Sequence, residues 1–168
     1  PAGIVCTTSK IDKNNVIDYL NFPERIYPVG RLDKESTGLL LLTNNGQLMD
    51  DVLRGSNYHE KEYIVHVNKP ITDSVLQAMA QGVPILDTIT RPCKIRRMGK
   101  DCFYITLTQG LNRQIRRMCE YFDYRVTSLK RIRIMNIELG SLPVGKWREL
   151  TPSEIKTLKN LAQNKGEA

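Results

Sequence analysis

A chain of 168 residues, 40% hydrophobic and 26% charged with a formal charge of +7, can bury roughly two thirds of its unfolded surface without a disulfide or metal. Its composition excludes a repeat or low-complexity protein. The longest apolar run, Gly38 to Leu42, is far short of the ~20 residues of a membrane-spanning helix.

Four cysteines (6, 93, 102 and 119) form no C-x-x-C pair, and His59 and His66 complete no zinc spacing with them. We therefore expect free thiols, no metal and a cytoplasmic setting. Disorder is expected only in the tail, Asn164 to Ala168.

In chain order, alternating and β-branched runs predict strands at Gly3 to Thr8, Gly38 to Thr43, Glu62 to Val67, Ile89 to Arg97, Phe103 to Thr108, Val126 to Leu139 and Trp147 to Leu150. Helices are predicted at Asn45 to Leu53 and Thr72 to Gln81. A stronger one runs from Arg113 to Phe122, where Ile115, Met118, Cys119 and Phe122 recur at i, i+3, i+4 and i+7. The last helix opens with Thr151-Pro152-Ser153-Glu154, a capping box with proline at the first helical position.

Several predicted strand pairs lie too close in sequence for a crossover helix. The expected fold is therefore α+β, a mixed and mostly antiparallel sheet with flanking helices. It forms one domain over 1–168, with room for two subdomains sharing the sheet. No G-x-G-x-x-G or G-x-x-x-x-G-K-[ST] occurs, so no nucleotide cofactor is expected.

The charge is unevenly placed. Residues 91 to 133 hold twelve Lys/Arg against three Asp/Glu, a local excess of nine that leaves the rest of the chain slightly acidic. Such a block fits phosphate backbones, with an ordinary solvated face as the alternative.

Three stretches are candidates for chemistry. In "GRLDKESTGLLLLTNNG" (30–46), an extended Tyr27 to Asp33 would put Arg31 and Asp33 on one face and Leu32 on the other. A carboxylate beside a cation stays ionised and suits a nucleophile or base; a structural Asp in a turn is the other reading. In "GLNRQIRRMCEYF" (110–122), the apolar stripe puts Arg116 on the flank of the buried face and turns Arg113 and Arg117 outward. In "KEYIVHV" (61–67), Tyr63 shares a strand face with Val65 and Val67, as a core residue or a stacking platform for an unpaired base.

"GRLDKESTGLLLLTNNG", then "KEYIV", then "RQIRRM" resemble the three active-site motifs of pseudouridine synthases of the ribosomal small-subunit type A family. Gly-Arg-Leu-Asp, rather than His-Arg-Leu-Asp, points to this branch. The resemblance implies isomerisation of uridine to pseudouridine in RNA, without metal or organic cofactor. It further implies Asp33 as nucleophile, Tyr63 against the uracil, Arg116 paired with Asp33, and Arg31 beside the flipped nucleotide. The expected RNA contacts are Arg31, Leu32 and Lys34 around the acid and Arg113, Gln114, Ile115 and Arg117 around its partner, with the basic 91–133 segment on flanking phosphates.

Ribosomal RNA, with transfer RNA as a second substrate, is the expected partner of a monomer without membrane contact. Pro1 falls inside the family's opening motif, so the sequence is expected to be a fragment lacking the S4-like amino-terminal RNA-binding domain. Asn45 and Gln109 replace a frequent Asp and Glu. The alternative functions are a non-catalytic RNA-binding module and, more remotely, a hydrolase.

Overall fold

The computed structural model describes residues 1–54 and 58–163; the tail expectation for 164–168 lies outside them. The elements, in chain order, are α1 (Val16–Leu20), β1 (Tyr27–Val29), β2 (Thr37–Gly38), β3 (Leu41–Thr43), α2 (Gly46–Leu53), β4 (Lys61–Val67), α3 (Asp73–Gln81), β5 (Pro84–Ile85), β6 (Thr88–Ile89), β7 (Lys94–Arg97), β8 (Cys102–Leu107), α4 (Gln114–Tyr121), β9 (Val126–Ile134), β10 (Ile137–Glu138) and α5 (Pro152–Gln163).

The main sheet runs β10-β9-β4-β8-β7, with β2 also paired to β9. Only the β2–β9 pair is parallel, so the sheet is mixed and mostly antiparallel, as the sequence predicts. β1–β3 and β5–β6 form separate two-stranded sheets.

Register explains where the core lies. Ile95, Ile105, Tyr63, Arg131 and Gly38 are paired in turn across β7, β8, β4, β9 and β2, and directly paired residues share a face. On that face Val65, Phe103, Ile105 and Leu129 meet Met79 of α3 and Met118 of α4 in one cluster. Ile134 and Ile137 meet Leu41, Val52 of α2 and Leu158 of α5 in a second.

Four predicted strands are shorter or absent. Gly3 to Thr8 makes one bridge, Val5 to Asn15. Trp147 to Leu150 forms no strand; Trp147 packs edge-on against Phe22 at 4.9 Å instead. Val126 to Leu139 is a hairpin because Met135 takes a positive φ of 53° and turns β9 into β10. Ile89 to Arg97 breaks around Pro92, which has no N–H for a ladder.

The leucine run also splits. Gly38 (φ 110°) lies so close to β9 that an added Cβ would run into the Arg131 backbone, and only glycine meets both demands. The chain then leaves the main sheet for β3. Helix α1 has no counterpart among the predicted elements; its signal is Asn15, whose side chain accepts from the Asp18 amide at 2.8 Å.

The capping box of α5 forms as the sequence predicts. Thr151 Oγ1 accepts from the Glu154 amide at 3.1 Å, and Glu154 Oε1 accepts from the Thr151 amide at 2.9 Å. Arg148 makes a two-pronged pair with the same carboxylate at 2.7 and 2.8 Å. The Arg148 hydrogen bond, then that of the Thr151 amide, lowers the Glu154 carboxyl from 4.5 to about 2. A lowered carboxylate pKa gives stability that is complete above the unfolded value and is lost as pH falls through the folded one. Accordingly, the stability gap between wild type and Glu154→Gln, read by urea denaturation, is expected to be largest at neutral pH and to close as pH falls from 4.5 through about 2.

Candidate active site

Asp33 lies in the 30–36 loop between β1 and β2, not on a strand: β1 ends at Val29, and Gly30, with φ 79°, turns the chain away. The loop is pinned along its length. The Leu32 amide donates to Cys6 Sγ at 3.4 Å, the Gly3 amide to the Lys34 carbonyl at 2.6 Å, and the Ser36 amide to the Asp33 carbonyl at 2.9 Å. The last bond closes a turn on the Asp33 backbone, leaving its carboxylate unspent. The leucines that follow supply Leu39 and Leu41 to the second cluster and so anchor the loop from the far side.

Helix α4 and its N-cap residue face this loop with two arginines, Arg116 and Arg113. Arg116, 9% exposed, places Nε 3.5 Å from Asp33 Oδ2 and donates from Nη2 to Ser36 Oγ at 3.1 Å. Arg113 Nη1 meets Glu35 Oε2 at 3.2 Å. A backbone hydrogen bond, then the Arg113 side chain, holds the Glu35 carboxyl below its usual range. Arg116 Nε itself makes no hydrogen bond, so the Asp33 contact is electrostatic rather than a completed hydrogen bond.

The helix starts on an unusual backbone: Arg113, its N-cap, has φ 50° and makes no side-chain cap. Gln114 Oε1 accepts from the Leu111 amide at 3.2 Å and fixes the turn from inside. Gln114 and Ile115 are buried and offer no side-chain surface to a partner in this conformation. Arg117 is turned back onto Asn112, with bonds of 3.0 Å to its carbonyl and side chain. Arg31 and Lys34 are exposed beside Asp33, and Leu32 is half-buried.

Tyr63 is half-buried on the sheet face that carries α4. Arg131 lies between Tyr63 and Gly38 in register, so about 10 Å separates Tyr63 from the strand that follows the loop. Arg131 is 2% exposed. Its Nε donates to the Leu39 carbonyl at 2.8 Å, and its Nη2 has no partner. Burial, then the Arg131 charge, pushes the nearby Lys61 ammonium below its ordinary value. The junction between the two clusters is therefore electropositive.

Ser36, Glu35 and Arg131 were not among the residues singled out by sequence. The available signal was the match of two acids at i, i+2 with two arginines at i, i+3. No group of three or more His, Cys, Asp or Glu able to hold a metal occurs among the described residues. No helix among them is long and apolar enough to cross a membrane.

With this geometry in view, the family described as RNA pseudouridylate synthase matches residues 1–121. The chain belongs to that family. It is 53% identical over 163 residues to the dual-specificity RNA pseudouridine synthase RluF of Salmonella typhi, covering 97% of this chain and 56% of the relative. It is 34% identical over 173 residues to the ribosomal large subunit pseudouridine synthase B of Bacillus subtilis (strain 168), covering 98% and 70%.

A solved structure titled as a pseudouridylate synthase superposes with a TM-score of 0.86 at 31% identity, over 94% of this chain and 70% of that one. The α+β fold and the resemblance read from the motifs, nearest to ribosomal large subunit pseudouridine synthase F, agree with these matches. The chain spans 56% of the length of the first of these relatives.

Ser36 supplies the hydrogen bond of a buried guanidinium. Ser36→Ala, which strands the Arg116 Nη2 donor, is expected to lower stability by about 1 to 3 kcal/mol in chemical denaturation.

Proposed function

We propose that this chain isomerises uridine to pseudouridine in RNA, with Asp33 as the nucleophile. The observation that carries this reading is the Asp33 carboxylate, partly exposed in its loop, with the Arg116 guanidinium 3.5 Å behind it. Membership of the family makes the reaction class the natural one for that pair.

The reaction breaks the N1–C1′ glycosidic bond, turns the uracil and rejoins it through C5, which gives up its hydrogen. An ionised carboxylate serves each chemical route to that end: attack on C1′, attack on C6, or removal of the C2′ proton. Arg116 orients the carboxylate and keeps a positive charge beside it, from a position that bulk water hardly reaches. Reactants held in such a geometry need no further ordering during the step.

A uridine stacked in a helix must first be extruded, at about a few kcal/mol unless it already lies in a loop. Stacking on Tyr63 returns about 1 to 3 kcal/mol of that. Arg31, Lys34 and Arg113 are the groups near Asp33 best placed for flanking phosphates. The basic 91–133 segment contributes only in part, because Arg96 and Lys130 point to the opposite face of the sheet from Tyr63.

We take ribosomal RNA as the substrate, with transfer RNA second, acted on by a cytoplasmic monomer. The words "ribosomal large subunit" in one relative's name support ribosomal RNA, and "dual-specificity" in the other's supports a second RNA substrate.

Asp33→Asn is expected to abolish tritium release from 5-tritiated uridine in ribosomal RNA, with RNA affinity within about twofold of wild type. Appreciable release by the variant would remove Asp33 from the nucleophile's role. No release by wild type would leave an RNA-binding module without catalysis.

A further inference from the structure

The basic excess divides between the two faces of the main sheet. Arg96 of β7 pairs with Tyr104 of β8, Tyr104 with Ile64 of β4, Ile64 with Lys130 of β9, and Lys130 with Thr37 of β2. These five residues form one row across five strands. The row lies on the opposite side from Tyr63 and Arg131.

Helices α2 to α5 do not direct their cores at this row. The buried apolar residues of α2, α3, α4 and α5 all belong to the two clusters on the other face. Arg96 and Lys130 are exposed, and Tyr104 and Ile64 are half-buried between them.

Charge on this face is also divided. In the neighbouring row, Lys94 reaches Glu60 at 3.5 Å, and Arg133 reaches Glu60 at 3.6 Å and Glu62 at 3.7 Å. Glu138 stands in register with Arg133. Among the described residues, by contrast, neither Arg96 nor Lys130 has an ion pair. The Arg96 guanidinium instead lies 4.2 Å from the centre of the Tyr104 ring.

We propose that this open face binds a single-stranded segment of RNA, separately from the candidate active site around Asp33. A base stacks on the Arg96 guanidinium already lying on Tyr104, since guanidinium planes receive bases as aromatic rings do. The free charges of Arg96 and Lys130 meet the phosphates on either side. Three strand spacings separate the two cations, about 14 Å, and a sheet face of similar width stacks two or three bases in known RNA-recognition modules. An acidic protein would satisfy the charges but has no use for the stacked platform, which favours RNA.

The test uses a fluorescently labelled twelve-residue oligocytidylate, which offers no uridine to isomerise, so the result stands whether or not the chain turns over. Anisotropy is expected to show binding by wild type and at least tenfold weaker binding by Arg96→Gln/Lys130→Gln, with an unchanged thermal melt. Lys156→Gln/Lys159→Gln, which removes two exposed cations of α5, is expected to bind within twofold of wild type. The proposal is overturned if wild type does not bind, if Arg96→Gln/Lys130→Gln binds normally, or if Lys156→Gln/Lys159→Gln loses as much affinity. Tighter binding of polyglutamate of equal length would also overturn it and assign the face to an acidic protein.

Discussion

A guanidinium that is 9% exposed needs a counter-charge, and among the described residues Arg116 has one carboxylate within 4 Å, that of Asp33. Leaving a buried guanidinium without its counter-charge is costly, though here the 29% exposure of the Asp33 side chain lets water screen part of it, whereas an exposed pair such as Arg113–Glu35 contributes at most about 1 kcal/mol. The first contact therefore determines how α4 and the 30–36 loop sit against each other. The second trims the arrangement. Asp33 is held by that charge, and under the proposed function stability and chemistry would draw on one interaction.

That pairing needs the loop and the helix to be delivered to one place by distant parts of the chain. Gly38 lets β2 lie against the Arg131 backbone, and the Leu39 amide and carbonyl bond to Arg131 on either side. Sheet register then carries the placement across to Tyr63 on β4. Alternation assigns one face of the sheet to the clusters and the candidate site, and leaves Arg96 and Lys130 exposed on the other. Among the described residues neither Arg131 nor Lys61 has an ion pair with an acid, which leaves the core face electropositive at this point.

Much of this was legible in the sequence because it is local. The apolar stripe of α4 fixed the flank position of Arg116, the Thr151 to Glu154 pattern marked the start of α5, and the alternation of Tyr63, Val65 and Val67 gave their common face. What escaped was set by contacts remote in sequence. Nothing within Gly38 to Thr43 says that the run changes sheets, since the cause is the backbone of Arg131. The break at Met135 depends on a positive φ that its residue type does not announce. Ser36 looked like an ordinary turn residue, and it became part of the site only through a helix 80 residues away. The basic block was correctly seen as a block, but its division between two faces follows from strand register, which charge counting does not reveal.

The most direct test of the account is a crystal structure of the Asp33→Asn variant with a uridine-containing ribosomal RNA stem-loop. The account predicts an extruded uridine with its base against Tyr63 and C1′, C2′ or C6 within about 3.5 Å of the side chain at position 33, with Arg116 still behind it. A uridine left stacked in the stem, or bound away from position 33, would contradict it.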